Sequence, residues 1–298
     1  MNLKEELIAT DLHVHGWTFP EKVKGEWIVS LLEGRLERTA DALVKVSQNK
    51  FPEEPTLVGL VNFDNRTTYE MIVKTLYPPL NVDLIYDDFK KTFFGIKKGD
   101  LWRYFIRVQE VPTDQGHVLL VGACKNTQRR KLIEVLKEAK EETGALIIAP
   151  HPLSAASIPF IGKRLDSFLS KGGQLSLGEE NLIKYSSYWD GIEVESSKYS
   201  SENRTSSIAV GLMSPQVVSS DSEGIENFLG FGMYLNGVDF ANSETLRASL
   251  RNSIRNCSHY FSRANNKSLE RLNHGLVSMY NSMRLKTGML KREVHEIE

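Results

Sequence analysis

Residues 117–151, HVLLVGACKNTQRRKLIEVLKEAKEETGALIIAPH, decide the fold. They open on an apolar run, His117 to Ala123, close on a second, Ala145 to Ala149, and hold between them a longer segment of different period. In that segment Leu132, Val135, Leu136 and Ala139 recur at three- and four-residue steps with charges opposite, the spacing of one helix face. Gly144 follows where a helix of that length should stop. The reading is strand, helix, strand.

The same alternation recurs along the chain. TDLHVH (10–15), TLVGLVNF (56–63), YFIRVQEV (104–111), GIEVES (191–196) and QVVSSD (216–221) read as further strands. EWIVSLLEGRLERTADALVKVSQ (26–48), EENLIKYSSYW (179–189) and RTSSIAVGLM (204–213) read as helices. Strands and helices alternating this often predict parallel strands covered by helices, and the natural architecture is an α/β closed barrel. Residues 76–106 interrupt the pattern with a Pro pair and a Lys-Lys-Gly-Asp turn between aromatic runs, which predicts a β-hairpin insertion that is either a wall of the site or decoration. From Ser243 the chain turns polar and helical, with Leu246, Leu250 and Ile254 spaced for packing and a further helix from about Ser268. The expected organisation is one barrel domain over 1–255 and a helical C-terminal extension over 256–298; the segment from Ser243 is expected to cap the barrel, with dimerisation as the alternative.

Composition narrows the function classes. With 298 residues, 41% of them hydrophobic and 25% charged, the chain suits one large α/β domain or two modest ones and is ample for a core. A net charge of −1 provides no electrostatic case for nucleic acid or a membrane as the main partner. The apolar runs are far too short to span a bilayer. Cys124 and Cys257 are too far apart in sequence to suggest a disulfide framework or a thiolate cluster, and the opening residues lack the basic start and apolar stretch of an export signal. A reducing, cytoplasmic setting is expected.

In a barrel of this kind the chemistry collects where strands end and loops begin. His13 and His15, two apart on the first strand, share one side while Leu12 and Val14 share the other, and neutral imidazoles so spaced can hold one cation or two adjacent ones. The second strand is followed by Asp64, Asn65 and Arg66; the third delivers Glu110, with His117 seven residues later; ALIIAP delivers His151, and QVVSS delivers Asp221, Ser222 and Glu223. Each has an ordinary alternative singly, such as a turn, a cap or a surface ion pair. Five such placements at one rim are harder to assign to chance.

In combination these residues resemble the PHP family, named for polymerase and histidinol phosphatase. The resemblance rests on His-x-His on the first strand, a Glu followed by Gly-His-Val-Leu, a strand ending in Ala-Pro-His-Pro, and a late Ser-Asp, and it runs from about Thr10 to Ile254. It implies a distorted (β/α)7 barrel holding two or three divalent ions and hydrolysing phosphoesters. It also implies His13, His15, Glu110 and Asp221 around a first metal, with Glu110 bridging to a second held by His117 and His151. The family's third site is where the sequence departs: Phe19, Pro20 and Glu21 replace a Ser-Asp-Gly, Asn65 stands where a His would be, and Glu223 closes the last motif in place of His. Oxygens of Asn65 and Glu223 could hold a weak third ion, and Arg66 could bind a phosphate in its stead. Glu193 and Glu195 share a strand face and resemble a family strand that supports the site without ligating. His259, His274 and His295 fall in the polar tail and read as solvated.

The implied activity is hydrolysis of a small phosphorylated substrate through two ions of Zn, Mn or Fe. Glu110, Asp221, Arg66 and Glu223 are the candidates for catalytic roles. A nuclease or nucleotide-trimming enzyme, and a degenerate barrel that binds metal or ligand without turnover, stay open beside it.

Overall fold

In the computed structural model, residues 7–15, 44–63, 68–75, 83–86, 92–153, 176–195, 203–221 and 229–262 are described. The strands are β1 (Ile8–His15), β2 (Thr56–Phe63), β3 (Asp83–Tyr86), β4 (Phe93–Lys98), β5 (Leu101–Thr113), β6 (Gly116–Val121), β7 (Leu146–Ala149), β8 (Gly191–Glu195), β9 (Gln216–Val218), β10 (Phe231–Leu235) and β11 (Tyr260–Ser262). The helices are α1 (Thr68–Thr75), α2 (Leu132–Glu138), α3 (Gly178–Lys184), α4 (Asn203–Gly211) and α5 (Ser243–Arg255), and residues 44–50 are also helical.

Among the described residues one sheet of eleven strands runs in the order β11-β10-β1-β2-β5-β6-β7-β8-β9, with β3 and β4 off that path. β9, at one end of that order, touches β10, next to the other end, so the sheet is a nearly closed barrel, with helices packed against its strands. Its pairing is mixed. β1, β2 and β5 are parallel neighbours, as are β7, β8 and β9, but β6 runs antiparallel to both β5 and β7, and β10 antiparallel to β1. The wholly parallel barrel expected from the alternation is corrected at these two strands. The reason is the connection: only Asp114 and Gln115 separate β5 from β6, too few residues for a crossover, so the chain must turn back as a hairpin. Strands β10 and β11 carry no alternation strong enough to be picked out of the sequence.

Residues 117–151 do form strand, helix and strand, although their two strands pair antiparallel. Leu132, Val135 and Leu136 are fully buried, each contributing roughly 1.5–3 kcal/mol of apolar burial. The helix widens into a π turn over Ala139–Thr143 and stops at Gly144, whose φ of 62° is left-handed. In the region read as an insertion, β4 pairs with β3 on one side and with β5 on the other, through a two-residue turn at Gly99 and Asp100. Its second arm is thus the barrel strand β5 itself, whose thirteen residues hold β2 on one edge and β4 followed by β6 on the other.

Two irregularities aim side chains at the site. The register of β1 against β2 shifts between Asp11 and Val14, so three residues of β1 advance against two of β2. Leu12 consequently packs with Ile8 and Leu57, and Val14 with Ala9 and Val58 in the other apolar cluster. The expectation that Leu12 and Val14 share a face is therefore wrong, because a bulge adds a residue and breaks the two-residue period. Gly59 makes it possible: a Cβ there would lie 2.3 Å from the Leu12 carbonyl oxygen. A second shift falls in β8 between Glu193 and Glu195.

Helix α5 buries Leu246, Leu250 and Ile254 as expected. Arg251 makes a two-point ion pair with Asp190, which also accepts the Ile147 N–H, and Arg247 donates to the Gly122 carbonyl. These contacts sit where β7 and β8 begin and β6 ends, so α5 caps the end of the barrel opposite His117. The expected helix from Ser268 lies outside the described residues. No helix among the described residues is long and apolar enough to cross a membrane.

Candidate metal centre

Six of the predicted site residues come together at one end of the barrel. His13 and His15 stand at the end of β1, Glu110 near the end of β5, His117 at the start of β6, His151 just past β7 and Asp221 just past β9. His117 reaches the same rim because β6 runs backward, pairing with Pro112 of β5. His151 and Asp221 both adopt left-handed backbone, φ 28° and 45°, which turns the chain sharply as it leaves each strand. All are buried except His15, which is partly exposed. Asn65, Arg66 and Glu223 lie outside the described residues.

Glu110 is at the centre, and its two oxygens face different partners. Oε2 lies 3.2 Å from His15 Nε2 and 3.7 Å from His13 Nε2. Oε1 lies 2.6 Å from His117 Nδ1 and 3.3 Å from His151 Nε2. Asp221 Oδ1 completes the first group at 3.2 Å from His15 Nε2 and 3.5 Å from His13 Nε2. The ligand atoms of His13, His15 and Glu110, and separately those of Glu110, His117 and His151, all lie within 4.8 Å of one another. That is the arrangement of two adjacent cation positions sharing one carboxylate.

Neighbouring side chains set the orientation of these donors. His13 Nδ1–H donates to Glu193 Oε1 at 3.1 Å, which turns Nε2 towards the centre. Glu193 also accepts the Ser219 hydroxyl and, at 2.7 Å, the His151 backbone N–H. Glu193 therefore steadies both halves without facing the centre itself, as the resemblance implied. The side chain of Glu195 is not described.

Electrostatics point the same way. Burial alone would lower the His13 pKa, but the Asp221, Glu193 and Glu110 carboxylates around it outweigh burial and raise it well above the ordinary imidazole value. His15 is raised too, against burial, by Asp221 and Glu110. Burial would raise Glu110 and Asp221, yet the imidazoles hold Glu110 well below the carboxylate range and Asp221 at about 2. The carboxylates and imidazoles thus together favour positive charge at their centre. His13 Nε2 and His15 Nε2, only 3.1 Å apart, pose the same requirement, since two ring nitrogens at that distance need a proton or a metal between them. The donor set fits divalent ions that accept mixed nitrogen and oxygen ligands, such as Zn, Mn or Fe.

Two participants escaped the sequence reading. Ser219 precedes Asp221 by two residues and carries no motif of its own. Asp11 is wholly buried, its pKa pushed up to about 6 by that burial against the hydrogen bonds from Ser220 and His13. Its position two residues before His13 was the signal available, since a carboxylate on a buried strand needs donors. His259, in contrast, is exposed as expected.

No family model matches the chain, and no curated protein matches it. Among solved structures it is similar to PsfC from Pseudomonas syringae PB-5123, at 14% identity and a TM-score of 0.52 over 95% of this chain and 99% of that one. It is also similar to a two-domain protein of Bacteroides vulgatus ATCC 8482 containing a predicted PHP-like metal-dependent phosphoesterase, at 11% identity and a TM-score of 0.47, over 87% of this chain and 65% of that one. The likeness to PsfC, at that identity, is one of fold.

Proposed function

We propose that this protein is a metal-dependent phosphoesterase of PHP type, acting through a binuclear centre on a small phosphorylated substrate in the cytoplasm. The observation that carries the reading is the division of labour in Glu110, with His13 and His15 opposite one oxygen and His117 and His151 opposite the other. His13, His15, Asp221 and Glu110 would hold one ion, and Glu110, His117 and His151 the other. Bound divalent ions supply Lewis acidity there, polarising a phosphoryl group and acidifying water. The chain's own contribution is rigidity: Glu193 orients His13 and the His151 backbone, and every one of the six donors except His15 is buried. Arg66 binds the substrate phosphate, and Asn65 and Glu223 offer oxygens to a weak third ion. Glu223 or Arg66 also stabilises the leaving alcohol.

Elemental analysis of the purified chain after loading with Zn, Mn or Fe, followed by assay against a panel of phosphomonoesters and phosphodiesters, tests this. The expected result is two ions per chain and hydrolysis that disappears in His13→Ala and Glu110→Ala. No bound ion would overturn the reading. Two ions with no turnover of any substrate would replace it with a metal-binding module.

A further inference from the structure

The geometry points to Asp11 as a positioning residue for one of the two ions and not the other; the inference rests on the binuclear reading above. Asp11 faces no cation position. Its carboxylate is fully buried, and Oδ1 accepts the Ser220 N–H at 2.9 Å and the His13 N–H at 3.4 Å, while Oδ2 accepts the Leu229 N–H at 3.2 Å. Those three donors belong to three separate pieces of chain: the bulge of β1, the turn that follows β9, and the approach to β10. The last two flank the seam of the barrel, where β9 and β10 touch with no ladder between them among the described residues.

Ser220 is the residue before Asp221, whose left-handed φ of 45° directs its carboxylate at His13 and His15. A single buried carboxylate thus joins the strand bearing His13 and His15 to the turn bearing Asp221. Ladder hydrogen bonds do that work elsewhere in the sheet, and among the described residues none joins β9 to β10. The His117 and His151 half is held by β5, β6 and β7, Glu193 is common to both halves, and among the described residues Asp11 makes no hydrogen bond to His117 or His151. Removing Asp11 therefore loosens the His13, His15 and Asp221 position selectively.

Zn titrated into the metal-free full chain, followed by calorimetry and elemental analysis, separates the two positions. Wild type is expected to take up two ions. Asp11→Asn keeps the shape but presents an amide where one N–H needs an acceptor; it is expected to weaken one ion by about 10–100-fold, the range for loss of a partner behind a ligand, and leave the other within about two-fold. Adding His117→Ala to Asp11→Asn then removes the remaining tight ion. Co in place of Zn provides a second readout: the absorption band of only one ion should shift. Equal weakening of both ions in Asp11→Asn, in step with a lower melting temperature of the metal-free protein, would mean a merely structural role and overturn the inference, as would unchanged binding of both. Absence of any ion in wild type would instead defeat the binuclear reading itself. Should Asp11→Ala fail to fold, the near-isosteric Asn variant decides.

Discussion

At the scale of single residues, environment decides which groups react. Cys124 is an exposed free thiol, whereas Cys257 is buried and burial pushes its pKa up to about 11, only partly offset by a backbone hydrogen bond at His259. At pH 8 a thiol of that pKa is ionised in about one molecule in a thousand. A thiol reagent at pH 8 should modify one cysteine per native chain and two after unfolding; rapid reaction of both in the native protein would contradict the burial. The sign for stability follows: because the folded pKa lies above the ordinary thiol value, this contribution is lost as pH climbs from the ordinary thiol range towards 11. Residue-scale chemistry was also what the sequence made easiest to read. His13, His15, Glu110, His117, His151 and Asp221 were visible because each stands at one end or the other of an apolar run. Asp11 and Ser219 were not, because their roles are hydrogen bonds to backbone and side chains distant in sequence.

At the scale of elements, bulges matter more than strands. The β1 bulge carries His13 towards Glu193 and Glu110, and it depends on Leu12 crossing Gly59 without a side chain between them. Gly59→Ala places a Cβ 2.3 Å from the Leu12 carbonyl oxygen, a backbone atom with little room to move. The expected cost is about 1–3 kcal/mol, typical of overpacking, together with weaker ion binding because His13 moves with the bulge. Thermal melting with and without Zn measures both; a variant as stable and as metal-competent as wild type would show that β1 accommodates the methyl. A period-two reading of TDLHVH could not foresee this. It placed His13 and His15 together correctly, yet misassigned Leu12, since a bulge inserts one residue and reverses the faces beyond it. In α2 the reading succeeded because the helix period is set by local hydrogen bonds and Gly144 marks its end.

At the scale of the whole molecule, the two ends of the barrel do different things. One gathers imidazoles and carboxylates; the other is closed by α5 through Arg251 with Asp190 and Arg247 with Gly122. Arg251→Ala leaves Asp190 with a backbone donor but no cation, and the pair is largely shielded from water. A loss of about 1–2 kcal/mol in unfolding free energy is expected, with the number of bound ions unchanged. Urea unfolding and metal analysis on the same sample test the separation; a fall in metal content would tie the cap to the centre.

Local pattern determined the mixed α/β class, the helix faces and most of the residues that gather at one rim, because hydrophobic period, helix stops and the placing of histidines beside apolar runs are properties of short stretches. Only the tertiary structure decided that β6 and β10 run backward, that Glu110 divides its oxygens between two imidazole pairs, and that Asp11 joins β1 to the Asp221 turn. Those depend on strand order, register and the closing of the sheet, which arise from contacts between residues as far apart as Asp11 and Leu229 and leave no trace in either neighbourhood alone.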